Sequence, residues 1–463
     1  MANPWTILPG GAVGELARRL EGLKGEEWTG GGVRRVEIPL PPGGPSLLSW
    51  LGARRCATRY YWHGRDDAFE MAGLGESVVL VPGALPDASD VFLKMRGLLG
   101  RESGDARFFG GFRFQQYSGK AGRWRSFTDH RFVLPLLELR RAGGVFSLAA
   151  NLSDASQVAG AAALLRGLAD PPPSSPPLPA ITGRADLPDR AGWMNLVGEA
   201  LGEFNRGALE KVVLARETTF EADAPFDPVR LLEALAAHTC KSFLFCFHPA
   251  PDRAFLGASP ERLFRRAGTL LESEAVAGTR PRGQSPEQDA ALREELLASP
   301  KDRREQALVV EALRERFGAL CAEVRVGDGP DTLELLHCRH LITRISGRLR
   351  GEAGDGELLA RLHPTPAVGG TPTAAALEWL ARREPFDRGI YAGPVGWVGR
   401  DGAEFCVAIR SGLVHHSTLS VYNGAGIVPG SDPGEEWLEI ETKMINFTRA
   451  VGFGDDGAGP RPS

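Results

Sequence analysis

Apolar residues along this chain change their spacing repeatedly, and each change predicts an element. Met194, Val197, Leu201 and Phe204 recur at helical steps, and Gly207 follows as a stop. Lys211 to Arg216, Ser242–His248 and Ala254–Ala258 are apolar runs of strand length, with turn residues between them. Ser285-Pro-Glu-Gln288 has the form of a capping box with proline at the first helical position, which predicts a helix start. Ser299-Pro-Lys-Asp302 repeats that logic and starts a helix carrying Glu305. Leu333–Leu349 and Glu404–Val414 read as extended, and Ser431-Asp-Pro433 caps a last helix running through Val451. Earlier in the chain, Ser77–Val81 and Arg131–Leu139 are strand-like, and Gly110-Gly-Phe-Arg-Phe114 suggests a strand after a close backbone approach. Runs of adjacent strands with irregularly placed helices predict an α+β fold rather than strict βαβ alternation.

Composition changes the picture in three places. Asp170-Pro-Pro-Pro-Ser-Ser-Pro-Pro-Leu-Pro179 can form neither helix nor central strand and reads as a connector. It divides an N-terminal part, residues 1–185, from a C-terminal part, residues 186–453. A Gly/Asp/Pro-rich tail, 454–463, follows. The formal net charge of -4 argues against a nucleic-acid backbone as partner, although a local basic cluster can still bind a small anion. Six cysteines without a CxxC pair predict reduced thiols in a cytoplasmic protein. The start has no signal-peptide pattern, and apolar runs such as Phe243–Phe247 are far too short to span a bilayer. The N-terminal part shows no cluster of acids, bases or nucleophiles and reads as scaffold.

Candidate chemistry concentrates after residue 190. Glu305 shares a helix face with Val309, Ala312 and Leu313. A carboxylate there needs a partner, either a neighbouring lysine or arginine or a metal ion. On the last helix Glu436, Glu439 and Lys443 form a stripe beside Trp437, Ile440, Met444 and Phe447. Helix geometry alone favours a solvated Glu439–Lys443 ion pair. The preceding loop, Asn423-Gly-Ala-Gly-Ile-Val-Pro-Gly430, offers small residues at a helix N-terminus, where an anion is favoured. Gly278-Thr-Arg-Pro-Arg-Gly283 is a second Gly/Arg turn, which alone reads as a surface turn. Lys211 opens an apolar strand as an edge lysine would, Glu261 could simply pair with Arg262, and His363 has no second histidine at metal spacing.

The order of these segments is more specific than any one of them. From about Ala191 to Val451 the chain resembles the chorismate-utilising enzymes, a family of isochorismate synthases, salicylate synthases and the synthase subunits for anthranilate and aminodeoxychorismate. The matching blocks are Glu210-Lys-Val-Val-Leu-Ala-Arg216, Phe255-Leu-Gly-Ala-Ser-Pro-Glu-Arg-Leu263, Ala277-Gly-Thr-Arg280, Lys301-Asp-Arg-Arg-Glu305, His340-Leu341, Glu404-Phe-Cys-Val-Ala-Ile-Arg410, and Gly424-Ala-Gly-Ile-Val428 through Glu439-Ile-Glu-Thr-Lys443. Leu362-His-Pro-Thr-Pro-Ala-Val-Gly-Gly370 looks like the isochorismate synthases, whereas nitrogen-inserting members usually carry a Phe-Pro block with Gly-Ala-Pro-Lys there. Lysine at 211 also separates isochorismate and salicylate synthases from the ammonia-using relatives. Gln306 departs from the histidine that many relatives carry, a change expected to be tolerated because the adjacent carboxylate is kept.

The resemblance implies one α+β unit, a large antiparallel β-sandwich core with helices outside, in which the proline-rich segment is a loop. It implies an isochorismate synthase, an isomerase that adds water at C2 of chorismate and loses the C4 hydroxyl, serving menaquinone or siderophore biosynthesis. Lys211 would be the base and Glu261 the acid. Glu305 and Glu439 would hold Mg²⁺. Gly278, Thr279, His363, Arg410, Gly424, Gly426 and Lys443 would bind the substrate. Such chemistry needs a neutral amine at Lys211 and a protonated carboxyl at Glu261 near neutral pH. No glutaminase subunit, nucleic acid or membrane partner is expected, and the chain would act as a monomer or homodimer. The rival readings are a salicylate synthase and a non-catalytic chorismate-binding relative.

Overall fold

Alternation along the strands decides which way each side chain faces. Phe245, Phe247 and Phe255 join one hydrophobic cluster, while Cys246, Ala254 and Leu256, offset by one residue, join another. The computed structural model describes residues 8–453 apart from 9, 25–27, 29–30, 45, 55, 83–87, 116–121, 169–176 and 352. Most of the proline-rich segment and the tail 454–463 therefore lie outside the described residues.

Two antiparallel sheets share a strand. The first runs by successive pairing from Ile181–Leu187 through Lys211–Ala222, Thr418–Ile427, Ser411–His415, Arg253–Ser259 and Phe243–Ala250. It continues through Arg59–His63, Phe69–Leu80, His130–Ala142 and Val145–Leu152 to Arg34–Leu40. The first residues of His130–Ala142 pair instead with Arg107–Phe112, and from there the second sheet proceeds through Pro394–Gly399, Gly402–Val407, Arg262–Ala267, Leu270–Pro281 and Cys338–Leu349.

The inner faces of the two sheets meet in one cluster. Phe245 and Phe255 of the first sheet belong to it with Phe108, Phe264 and Phe405 of the second. The outer face of the first sheet is covered by helices. Leu231, Leu232 and Leu235 of Pro228–Ala237, and Met444 and Phe447 of Pro433–Ala450, complete that second cluster. Helix Pro300–Leu320 lays Val309, Leu313 and Phe317 on the strands Leu270–Pro281 and Cys338–Leu349. Both clusters draw residues from either side of the proline-rich segment, for example Tyr60 and Phe245 in one and Tyr61 and Leu256 in the other.

The helix starts follow the local chemistry, with small differences. Ser299 accepts from the Asp302 N–H at 3.3 Å as its spacing predicts. Ser285 accepts from Gln288 N–H, but the returning arm of Gln288 takes the N–H of Gln284 rather than that of Ser285. The last helix is capped by Asp432, which accepts from the N–H groups of Gly434 and Glu435, while Ser431 accepts from Val428. Glu404–Val414 is not one extended run. Gly402–Val407 belongs to the second sheet and Ser411–His415 to the first, so the chain crosses the sandwich at Ala408-Ile409-Arg410, with Arg410 at φ 49°. Similarly, Leu333–Leu349 is two strands, Asp331–Glu334 and Cys338–Leu349.

Candidate active site

A cavity, partly open to solvent, lies between the sheets, bounded by the strands Lys211–Ala222, Leu270–Pro281 and Thr418–Ile427 and by the helices Pro300–Leu320 and Pro433–Ala450. Glu261, Gly278, Thr279, Glu305 and Arg410 line it, together with Gly424, Gly426, Glu439 and Lys443. The structure thus brings together residues spread over nearly two hundred positions of sequence.

Lys211 stands just behind this lining, fully buried, with Nζ donating to Glu305 Oε1 at 2.9 Å. A lysine from a neighbouring strand is therefore one partner of Glu305. Lys211 is positioned from the far side by the His-Pro-Thr-Pro block. Gly370 and Thr371 pair with Val212 and Lys211, and a Cβ at Gly370 would collide with the Lys211 carbonyl. On the near side, a Cβ at Gly426 would collide with Glu305 Oε1 and come within 3.2 Å of Lys211 Cε. Gly426 therefore clears space for the Lys211–Glu305 pair. Gly426→Ala should displace Glu305, lowering turnover by at least tenfold while the fold survives. Activity assayed beside circular dichroism checks this, and undiminished turnover would show that Glu305 relocates freely.

Glu261 is 4% exposed and lies at the turn joining Arg253–Ser259 to Arg262–Ala267, in contact with the inner face of the sandwich. Burial, reinforced by the charge of Glu274, pushes its carboxyl up to about 8 against the opposing pull of Lys211, Lys443 and Arg65. Glu261 does not pair with Arg262, whose guanidinium goes to Glu404. A residue of the N-terminal part is involved here. Arg65 grips Glu274 with both guanidinium nitrogens and donates to the Pro260 carbonyl at 2.6 Å, so that half of the chain is more than scaffold.

The last helix carries the remaining acids. Glu439 pairs with Lys443 at 2.6 Å, as helix geometry favours, but the pair faces the cavity rather than bulk solvent. Desolvation opposes ionisation of Glu439, yet Lys443, with Lys301 beyond it, holds the carboxyl below its usual range. Glu436 is buried and pairs with Lys301 at 2.7 Å. Burial and then the charge of Glu439 raise its carboxyl. Each of the three glutamates thus has its own lysine. The donor set at Glu305 and Glu439 is all carboxylate oxygen beside a water-accessible cavity, which suits a hard divalent cation.

Arg410 is held by a chain of contacts absent from the sequence reading. His340 Nδ1 lies 2.9 Å from the Gly278 carbonyl, so that nitrogen carries the proton and donates. The bare Nε2 then accepts from Arg410 Nη2 at 2.6 Å. Burial alone would raise the Cys338 thiol, but the charge of Arg410 overcomes it and brings it down to about 6. His340 stood inside a recognised block and could have been singled out there. Tyr391, which also lines the cavity and whose hydroxyl would be 2.9 Å from a Cβ at Gly424, left no signal in the sequence.

His363 does not line the cavity. Its Nε2 donates to the Phe114 carbonyl at 3.1 Å, its ring packs edge-on against Phe114, and burial keeps it neutral, pushed down to about 4. Ala367 and Val368 of the same block reach the cavity instead. Gly278 also does more than bind through its backbone. At φ 66° it lies where a Cβ would come within 2.9 Å of Asp302 Oδ1, so it admits that helix to the strand. Gln306 turns away from the site, donating to the Ala275 carbonyl and Thr343 Oγ1, both at 3.1 Å.

Among the described residues the six cysteines are free, and no helix is long and apolar enough to cross a membrane. The chorismate binding enzyme family matches this chain over residues 38–452. The isochorismate synthase MenF of Escherichia coli (strain K12) is 33% identical over 426 residues, covering 90% of this chain and 93% of that protein. The chloroplastic isochorismate synthase of Catharanthus roseus is 34% identical over 403 residues, covering 82% of this chain and 68% of that protein. The solved structure of MenF, the menaquinone-specific isochorismate synthase from Escherichia coli, superposes with a TM-score of 0.84 at 31% identity, covering 95% of this chain and 99% of the other. A match through nearly the whole sandwich, with the acids, lysines and arginine converging on one cavity, means that the chain belongs to the chorismate binding enzymes.

Proposed function

We propose that this chain is an isochorismate synthase that interconverts chorismate and isochorismate with Mg²⁺. The observation that carries the reading is Glu261. A buried carboxyl pushed up to about 8 holds a proton at neutral pH, in a cavity that also presents Arg410, Lys443 and the Lys211–Glu305 pair. The near-full-length likeness to relatives named isochorismate synthases supports it, and the menaquinone-specific title of one of them favours that pathway here.

Chorismate is a dicarboxylate. Arg410, fixed in direction by His340, and Lys443 provide cationic donors for its carboxylates, with Thr279 and the backbone at Gly278 and Gly424 beside them. Lys211 takes a proton from the water that adds at C2, and Glu261 gives its proton to the hydroxyl leaving C4, so no proton is gained or lost overall. Nζ of Lys211 is engaged with Glu305 in the free chain. To act as base the amine must first have given its proton to solvent, a loss that is favoured once the Glu305 carboxylate is committed elsewhere. Glu305 and Glu439 would hold Mg²⁺, which supplies positive charge for a substrate carboxylate. Walls of Val213, Val276 and Ile409 limit the water reaching the ring.

The deciding experiment incubates chorismate with the purified protein and either Mg²⁺ or EDTA, then separates products by chromatography and mass spectrometry. A Mg²⁺-dependent isomer of unchanged mass is expected. Salicylate with pyruvate as the main product would make the chain a salicylate synthase, and absence of turnover would make it a binding relative. Glu305→Gln should raise the Mg²⁺ concentration needed for half-maximal activity by at least tenfold, with a matching loss in calorimetric Mg²⁺ titration. An unchanged metal requirement would remove Glu305 from the ligand set.

A further inference from the structure

Far from the cavity, two hairpin turns of the first sheet bring three metal-ligating side chains together. Asp252 sits in the turn between Phe243–Ala250 and Arg253–Ser259. His415 and His416 sit in the turn between Ser411–His415 and Thr418–Ile427. The two turns are neighbours because Arg253 and His415 are cross-strand partners, and the His416 N–H donates to the Asp252 carbonyl at 3.0 Å. Consecutive side chains of a regular strand point to opposite faces. Here His416 has a φ of 54°, and that left-handed backbone swings its ring to the same side as that of His415, with ring centroids 4.9 Å apart. Nε2 of each histidine lies 3.8 Å from the same oxygen, Asp252 Oδ2. One ligand atom from each of the three lies within 4.8 Å of the other two.

We propose that Asp252, His415 and His416 form a binding site for a divalent transition-metal cation of the zinc type. Two imidazole nitrogens and one carboxylate oxygen are the donor set that such cations take, and the fourth position is open to water. Mg²⁺ prefers oxygen ligands and retained waters, so this set selects against the ion proposed for the main cavity. The groups facing the site are set for it. Arg253 and Arg125 lie 3.4 and 3.9 Å from Asp252 Oδ2 and balance its charge in the free chain, which keeps binding moderate rather than tight. The strand Ser411–His415 starts beside Arg410, so the site stands on the order of 15 Å from the cavity, at the other end of that strand. A bound ion would fasten the two turns at that end without touching the substrate.

The test is calorimetric titration of the EDTA-treated full chain with Zn²⁺ in excess Mg²⁺, with a parallel Co²⁺ titration followed by visible absorption. One Zn²⁺ per chain is expected, with Co²⁺ bands of nitrogen ligation. Asp252→Asn, His415→Ala and His416→Asn should each weaken Zn²⁺ binding at least tenfold and leave Mg²⁺-dependent turnover unchanged. Asparagine at 416 keeps a residue that tolerates left-handed backbone. The Glu305→Gln, Glu439→Gln double variant should keep the Zn²⁺ site. Absence of stoichiometric uptake overturns the proposal. So does uptake that survives all three substitutions, or uptake lost with the two glutamates.

Discussion

Replacing Lys211 by methionine should cut kcat by about 10²–10⁴-fold, the usual range for loss of a positioned general base. KM for chorismate should change much less, because Lys211 stands behind the cavity lining rather than among the groups facing the carboxylates. Methionine fills the buried volume without a nitrogen lone pair, so the variant separates chemistry from packing. It also leaves Glu305 without its 2.9 Å partner, and the melting temperature should fall. The measurement is therefore steady-state kinetics below that temperature, with circular dichroism to verify the fold. Turnover within tenfold of the parent would remove Lys211 from the role of base.

Glu261→Gln should be comparably damaging to kcat, and its pH behaviour is distinctive. In the parent, kcat/KM should fall as pH rises through about 8, where Glu261 gives up the proton it must donate. That limb should vanish from the residual activity of the variant. The stability consequence has a definite sign. The folded-state carboxyl is raised to about 8 from an ordinary 4.5, so the folded protein binds this proton more tightly than the unfolded chain. The stability this contributes is full below about 4.5 and is lost as pH rises to about 8, a change on the order of 4–5 kcal/mol for a fully buried group. Glutamine cannot ionise. Glu261→Gln should therefore gain stability relative to the parent between pH 5 and pH 9, measured by denaturant titration. A constant difference across that range would mean that Glu261 is ordinary in its ionisation.

Much of the fold is legible in local pattern because helices and strands bury surfaces with fixed periods. The expected strand Lys211 to Arg216 is the start of Lys211–Ala222, and the helix marked by Met194 to Phe204 is Arg190–Asn205. The break at Ala408-Ile409-Arg410 left no such mark, since a crossing between sheets is set by which strands lie on either side. Nine of the residues that ordered blocks suggested for substrate or metal line one cavity. His363 illustrates the limit. Its block is diagnostic, yet the histidine points to Phe114, while Gly370 and Thr371 pair with Val212 and Lys211. Spacing along a chain does not say which member of a turn faces inward.

The sequence by itself determined the α+β class, the helix starts, the acids and lysines of the site and the family resemblance, because these rest on residue chemistry and short-range geometry. Only the tertiary structure decided how those groups are satisfied. It showed Lys211 bound to Glu305, Glu261 buried beside the charge of Glu274, and Arg410 aimed by His340. It also brought Arg65 to the site from the opposite end of the chain, and Asp252 to His415 and His416. Pairings between residues a hundred or more positions apart depend on strand order and on which face each strand buries, and a linear pattern carries neither.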